Sequence, residues 1–211
     1  METLREFFQF ITNSEEIIQT GGLLVIVLIV FIENGLFFGF FLPGDYLLFL
    51  SGVFCGLAIL KVHIFILVPA IFAAAVLGSS AGYFSGYYFG ESIELKEDNL
   101  FFKKKYISRT RKYFDKYGSR TLVIARFLPI IRTFAPIMAG VVKMRIFPFM
   151  LYNVVGGGTW VFVLVCGGYY LGQHFPWIIN YVHYIVIFFI AITTVTVIRG
   201  YFSAKKEIEE A

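Results

Sequence analysis

The sequence predicts an all-α membrane protein: an inverted repeat of a re-entrant hairpin plus a transmembrane helix, with amphipathic surface helices and an additional C-terminal transmembrane helix. Three observations predict it. Of 211 residues, 58% are hydrophobic and only 15% are charged, against about 45–50% and about 25% in soluble domains. Two long runs, 62–90 and 146–198, contain no Asp, Glu, Lys or Arg. Two short motifs also recur at one spacing. Phe41-Leu42-Pro43 returns as Phe127-Leu128-Pro129, and Gly82-Tyr83-Phe84-Ser85-Gly86 returns as Gly168-Tyr169-Tyr170-Leu171-Gly172, both 86 positions later. The same composition excludes disorder, which needs low hydrophobicity, and argues against a soluble enzyme.

The elements follow in order within one membrane domain. In 1–19, Leu4, Phe7, Phe8 and Ile11 recur at helical spacing. Glu2, Glu6, Glu15 and Glu16 stand where a signal peptide would carry positive charge. This predicts an amphipathic helix lying on the membrane surface. Segment 20–60 is apolar but interrupted by Glu33 and by Pro43-Gly44-Asp45, and is read as the first re-entrant hairpin. Segment 62–90 is a transmembrane helix, since about 20 apolar residues cross a bilayer. Segment 91–120 holds nine Lys/Arg against five acids, with aromatic residues interleaved. It reads as a basic amphipathic segment resting on anionic inner-leaflet lipids, and not as a nucleic-acid surface. Segment 121–145, interrupted by Arg126, Pro129, Arg132 and Pro136, is the second re-entrant hairpin. Segments 146–172 and 176–199 are transmembrane helices with a turn between them, and 200–211 is a tail.

Charge sets the orientation. With both broken segments re-entrant, 14 of the 18 basic residues fall on one side, which the positive-inside rule assigns to the cytoplasm. The N-terminus is then outside and the C-terminus cytoplasmic. Two single crossings in place of the hairpins would keep the same parity. An inverted pair of repeats with broken helices is the architecture of secondary transporters.

Four ionisable side chains fall inside apolar segments: Glu33, Asp45, Arg126 and Arg132. Each costs about 2.5–3.5 kcal/mol at a helix centre, so such residues face a cavity and a partner. Two acids in one broken segment stand against two arginines in the other, a formal sum of zero expected of one shared polar pocket. Pro43 and Gly44 cannot continue an ideal helix, and Pro129 and Pro136 break the second segment. Exposed backbone at membrane depth is tolerated only beside protein or a water-filled cavity. Guanidinium is planar, permanently charged and suited to gripping phosphate oxygens, while paired carboxylates in low dielectric can take up protons. The plainer alternatives are that Asp45 only caps the helix after the break, and that Glu33 forms an ion pair that only locks the halves together. Cys55 and Cys166 read as packing residues, and Trp160 and Trp177 as interfacial or span-packing residues. His63, His174 and His183 read as surface or packing residues, and Gly156-Gly157-Gly158 as a site of close helix approach. No residue pattern calls for a metal or cofactor.

The residues around the four charges resemble the DedA family, whose shared region is also called the SNARE-associated or VTT domain. The resemblance rests on Glu33 followed by Phe41-Leu42-Pro43-Gly44-Asp45, with Phe41 where the family often has a further proline. It rests equally on Ala125-Arg126-Phe127-Leu128-Pro129-Ile130-Ile131-Arg132-Thr133-Phe134-Ala135-Pro136 and on Ala139-Gly140. It covers about residues 20 to 200. The resemblance implies a bacterial cytoplasmic-membrane protein with two re-entrant hairpins meeting from opposite faces. It also implies movement of phospholipid or polyprenyl phosphate between leaflets, dependence on proton motive force, functional acids at Glu33 and Asp45, and functional arginines at Arg126 and Arg132. The combined expectation is a flippase and not an enzyme. Arg126 and Arg132 bind the phosphate of a lipid, with undecaprenyl phosphate preferred over phosphatidylethanolamine, and Glu33 and Asp45 compete for the arginines and couple to protons. The alternatives are a proton-coupled carrier of a small ion or osmolyte, a lipid phosphatase, and a non-transporting scaffold.

Overall fold

A computed structural model describes residues 14–36, 44–94, 122, 123, 126, 129–181 and six isolated positions from 184 to 195. The expected surface helix before Ser14, Pro43, most of the basic segment 91–120, His183, most of the last transmembrane helix and the tail lie outside the described residues. Every regular element among the described residues is helical. In order these are α1 (Ser14–Gly35), α2 (Gly44–Gly56), α3 (Ile64–Glu94), α4 (Pro129–Val141), α5 (Ile146–Val161), a π-helical turn (Phe162–Cys166), α6 (Gly167–His174) and a 3-10 turn (Pro176–Tyr181).

Helix lengths follow from the breakers. Gly22, at φ 53° and ψ −147°, kinks α1 and leaves an apolar helix Gly22–Gly35. Among the described residues two stretches are long and apolar enough to cross a membrane: Ile64–Gly90, and Ile146–His174 running through α5, the π turn and α6. At 1.5 Å per residue each reaches about 40 Å, beyond the ~30 Å hydrocarbon core. Their outward faces are apolar. Phe147, Leu151, Val154, Val155, Phe162 and Val163 stand exposed along the second at helical spacing, a stripe that suits lipid and not water.

The repeat seen in the sequence has a backbone counterpart. After α2, Leu57, Ala58 and Ile59 donate their N–H groups to the carbonyls of Val53, Cys55 and Phe54. After α4, Val142, Lys143 and Met144 donate in the same pattern to Met138, Gly140 and Ala139. Ala58 and Lys143 occupy the left-handed region, at φ 57° and φ 54°. The two half-length helices therefore end in the same left-handed cap, which satisfies carbonyls a helix end leaves open.

The repeated glycine motifs carry the packing, and they do so crosswise. A Cβ on Gly86 would overlap the carbonyl of Ile137, and one on Gly140 the carbonyl of Tyr83, so α3 of the first repeat carries α4 of the second. A Cβ on Gly168 would overlap the carbonyl of Phe49, and one on Gly52 the carbonyl of Val165, so the second spanning stretch carries α2 of the first. Close backbone approach through small residues is the usual route to helix association where lipid removes the hydrophobic drive. The larger apolar core gathers Ile26, Val30, Leu48, Val53, Phe54, Leu67 and Ile71 with Val165. A smaller one stacks Tyr83 on Phe149 at 4.3 Å, and the Tyr83 hydroxyl donates to the carbonyl of Met144 at 2.5 Å.

Candidate functional site

Crosswise packing brings the ends of α1, α2 and α4 together against α5. Glu33, at the end of α1, is fully buried. Its Oε1 accepts the N–H of Gly44, the first residue of α2, at 3.2 Å. The cap of α2 is therefore supplied by Glu33 from eleven residues away, and Asp45 is left for other work. A Cβ at Gly44 would overlap the Glu33 carboxylate, so the glycine that starts α2 is also what lets the acid sit there.

Arg132 of α4 bridges both acids. Its Nη2 donates to Glu33 Oε1 and its Nη1 to Asp45 Oδ1. The arginine and Glu33 are buried, and Asp45 keeps about a fifth of its side chain exposed (22%). Asp45 Oδ1 also accepts the indole N–H of Trp160 at 2.8 Å, and the Arg132 guanidinium lies 5.0 Å from the centre of that indole ring. Cation–π contact and ion pairing thus act on one guanidinium.

Arg126 is held differently. Its Nη2 donates to the hydroxyl of Ser79 at 2.5 Å, to Asn153 Oδ1 at 2.7 Å and to the carbonyl of Ala75 at 3.5 Å. Asn153 in turn donates to the carbonyl of Val76 at 3.1 Å and to Ser80 at 3.3 Å, fastening α5 to α3. Arg126 is 5% exposed, and its Nη1 meets no acceptor. Among the described residues Arg132 pairs with Glu33 and Asp45, and Arg126 with neither. The expected two-against-two pairing is therefore one arginine on two acids, and one buried cation on neutral acceptors alone.

Between them lies a narrow recess lined by Leu122, Arg126, Arg132, Ala135, Pro136, Phe149 and Asn153. Its free space is about 10 Å³, room for about one water molecule, so a headgroup enters only where the lining side chains move apart. Of the expected break residues, Gly44 lies against Glu33, Pro136 lines the recess, Pro129 opens α4, and Pro43 is outside the described residues.

Four residues enter the site that their sequence context did not mark: Ser79, Asn153, Trp160 and Gly157. A Cβ on Gly157 would overlap Arg126 Nη1, so this glycine makes room for a guanidinium, whereas its neighbour Gly156 meets the backbone of Val123. Trp160 is 3% exposed; of the two expectations it meets span packing, within the larger apolar core, and it also touches the charge cluster. A polar Asn and a Ser pair inside charge-free runs were the available signals. The two described histidines stay apart from the cluster: His63 stacks on Phe65 and His174 on Tyr170. Cys55 donates its thiol to the carbonyl of Val62 at 3.1 Å.

Long apolar helices folded around a buried charge cluster define a multi-helix membrane protein with an intramembrane polar site. The model of the VTT domain matches residues 42–170. Protein DedA of Escherichia coli strain K12 is 36% identical over 148 residues, 70% of this chain and 68% of its own length. Inner membrane protein YqjA of the same strain is 34% identical over 149 residues, 71% and 67% of the two chains. An uncharacterized membrane protein of Mycobacterium tuberculosis strain H37Rv is 43% identical over 148 residues, and the match spans 65% of that relative's length. No solved structure matches. The chain belongs to the VTT-domain family, together with the DedA and YqjA membrane proteins.

Proposed function

We propose that the protein is a flippase of the bacterial cytoplasmic membrane that moves a lipid with a phosphate headgroup, undecaprenyl phosphate first among them, between leaflets. One observation carries the reading: a buried arginine, Arg126, without a carboxylate partner among the described residues, lining a narrow polar recess with Arg132 and Asn153. A buried cation is costly unless paired, and a phosphate entering the recess would complete it. The tail stays in lipid. The two arginines then differ in role. Arg126 receives the phosphate first, while Arg132 is held back by Glu33 and Asp45. Protonation of the acids loosens Arg132, which joins Arg126 on the phosphate, and deprotonation reclaims it for release.

The short helices support re-entrant hairpins. Gly22–Gly35 and Gly44–Gly56 each reach about 20 Å at 1.5 Å per residue, well short of the ~30 Å core. With the basic segment cytoplasmic, the N-terminus is outside and the C-terminus inside. The test is reconstitution of the chain in liposomes carrying undecaprenyl phosphate in one leaflet, with its exposure followed over time. The wild type moves the lipid and Arg126→Ala does not; equal translocation by both overturns the phosphate-binding role.

A further inference from the structure

We infer that Trp160 is a positioning residue of this site, acting on Asp45 through its N–H and on the arginines through its ring. The functional part of the inference rests on the flippase reading above. Three contacts converge on one side chain. The indole N–H donates to Asp45 Oδ1 at 2.8 Å, the oxygen that also receives Arg132 Nη1. The ring centre lies 5.0 Å from the Arg132 guanidinium carbon and 6.0 Å from that of Arg126. Trp160 is buried, as is Arg132, while Asp45 keeps part of its side chain exposed.

The chemistry of indole suits the task. It carries one donor and no acceptor, so it can hold Asp45 in place whether or not Arg132 is paired with it. Its π face attracts both guanidinium groups without neutralising either. An aliphatic side chain of similar bulk would fill the space but leave Asp45 tethered by Arg132 alone, and would leave the two like charges without the ring that both contact. The residue also sits just before the π turn at Phe162–Cys166, and such turns are frequent at functional positions in helices.

Two substitutions separate the functions. Trp160→Phe keeps a ring and removes the N–H; Trp160→Leu removes both. With undecaprenyl phosphate as the probe in liposomes, Trp160→Phe lowers the maximal rate about tenfold and leaves the apparent KM within about twofold. Trp160→Leu also raises the apparent KM, by about fivefold. Equal behaviour of Trp160→Phe and wild type overturns the inference, as does a parallel fall in rate and rise in KM in both variants, the mark of general loosening. A second arm needs no transport. The chain has two tryptophans, so Trp177→Phe leaves Trp160 as the sole reporter. Asp45→Asn in that background shifts its emission spectrum. An unchanged spectrum overturns the inference even where translocation occurs. Absence of translocation by the wild type, with the spectral shift present, removes the flippase reading and leaves the positioning contact standing.

Discussion

The sharpest local prediction concerns Gly157→Ala, a change of one methyl group on a spanning helix. A Cβ there would overlap Arg126 Nη1, while its next neighbour, the Val76 side chain, is at an ordinary 3.5 Å. The guanidinium must therefore move, and moving it strains its bonds to Ser79 and Asn153. Hydrogen bonds to charged groups contribute about 1.5–3 kcal/mol in general, and intramembrane side-chain bonds average about 0.6 kcal/mol. On the intramembrane scale, losing two of them costs about 1 kcal/mol. Alanine returns about 0.5–1 kcal/mol over glycine within a helix, so the protein folds. What is lost is the placement of Arg126, and translocation of undecaprenyl phosphate falls about fivefold, at about 1.4 kcal/mol per factor of ten. Two neighbours serve as controls. A Cβ on Gly158 meets only the Phe72 ring at 3.5 Å, and one on Gly167 meets nothing within 4 Å, so both alanine variants match wild type. Equal activity of Gly157→Ala and Gly158→Ala in liposomes, at equal folded yield, would refute the reasoning.

The two arginines are expected to fail in different ways. Arg132→Ala strands Glu33 and Asp45, and an unpaired buried charge costs about 3–5 kcal/mol, so the yield of folded protein in a detergent size-exclusion profile drops sharply. Arg126→Ala strands only neutral acceptors, Ser79, Asn153 and the Ala75 carbonyl, at about 1–3 kcal/mol, and folded yield stays near wild type while translocation is lost. Gly52→Ala and Gly168→Ala each set a Cβ against a backbone carbonyl of the partner helix, which has no flexible end to give way, so both lower thermal stability in detergent. Glu33→Gln keeps the shape of the acid but removes its proton exchange, and is expected to abolish the response of translocation to a proton gradient across the liposome. Ala58→Gly relieves a left-handed non-glycine residue, a strain of about 1 kcal/mol, and raises the melting temperature by a few degrees.

The charges that lipid disfavours were legible before any coordinates, because each needs a reason to be where it is. Glu33, Asp45 and Arg132 do converge. The charge balance sets Arg126 against an acid, because ionisable residues are the conspicuous polar groups in an apolar run and neutral ones are not. Ser79 and Asn153 accept from its Nη2 without a charge, and among the described residues no carboxylate pairs with it. The role of Gly44 was half legible: the break was plain, but the cap comes from Glu33 across the loop, a contact that local spacing does not reveal. For Trp160 the sequence leaves interfacial belt and span packing open; the indole packs in the core of the spanning helices, and its contact with the charge cluster is what the letter does not reveal. The repeated glycine motifs announced two equivalent surfaces. That each would carry the other repeat's half-helix depends on three-dimensional exchange, which no spacing encodes.

The most direct measurement is an experimental map of the full chain with undecaprenyl phosphate bound. The account predicts phosphate density in the recess within hydrogen-bonding distance of Arg126, beside Asn153 and Pro136. Headgroup density outside the recess, with Arg126 still held only by Ser79, Asn153 and the Ala75 carbonyl, would contradict it.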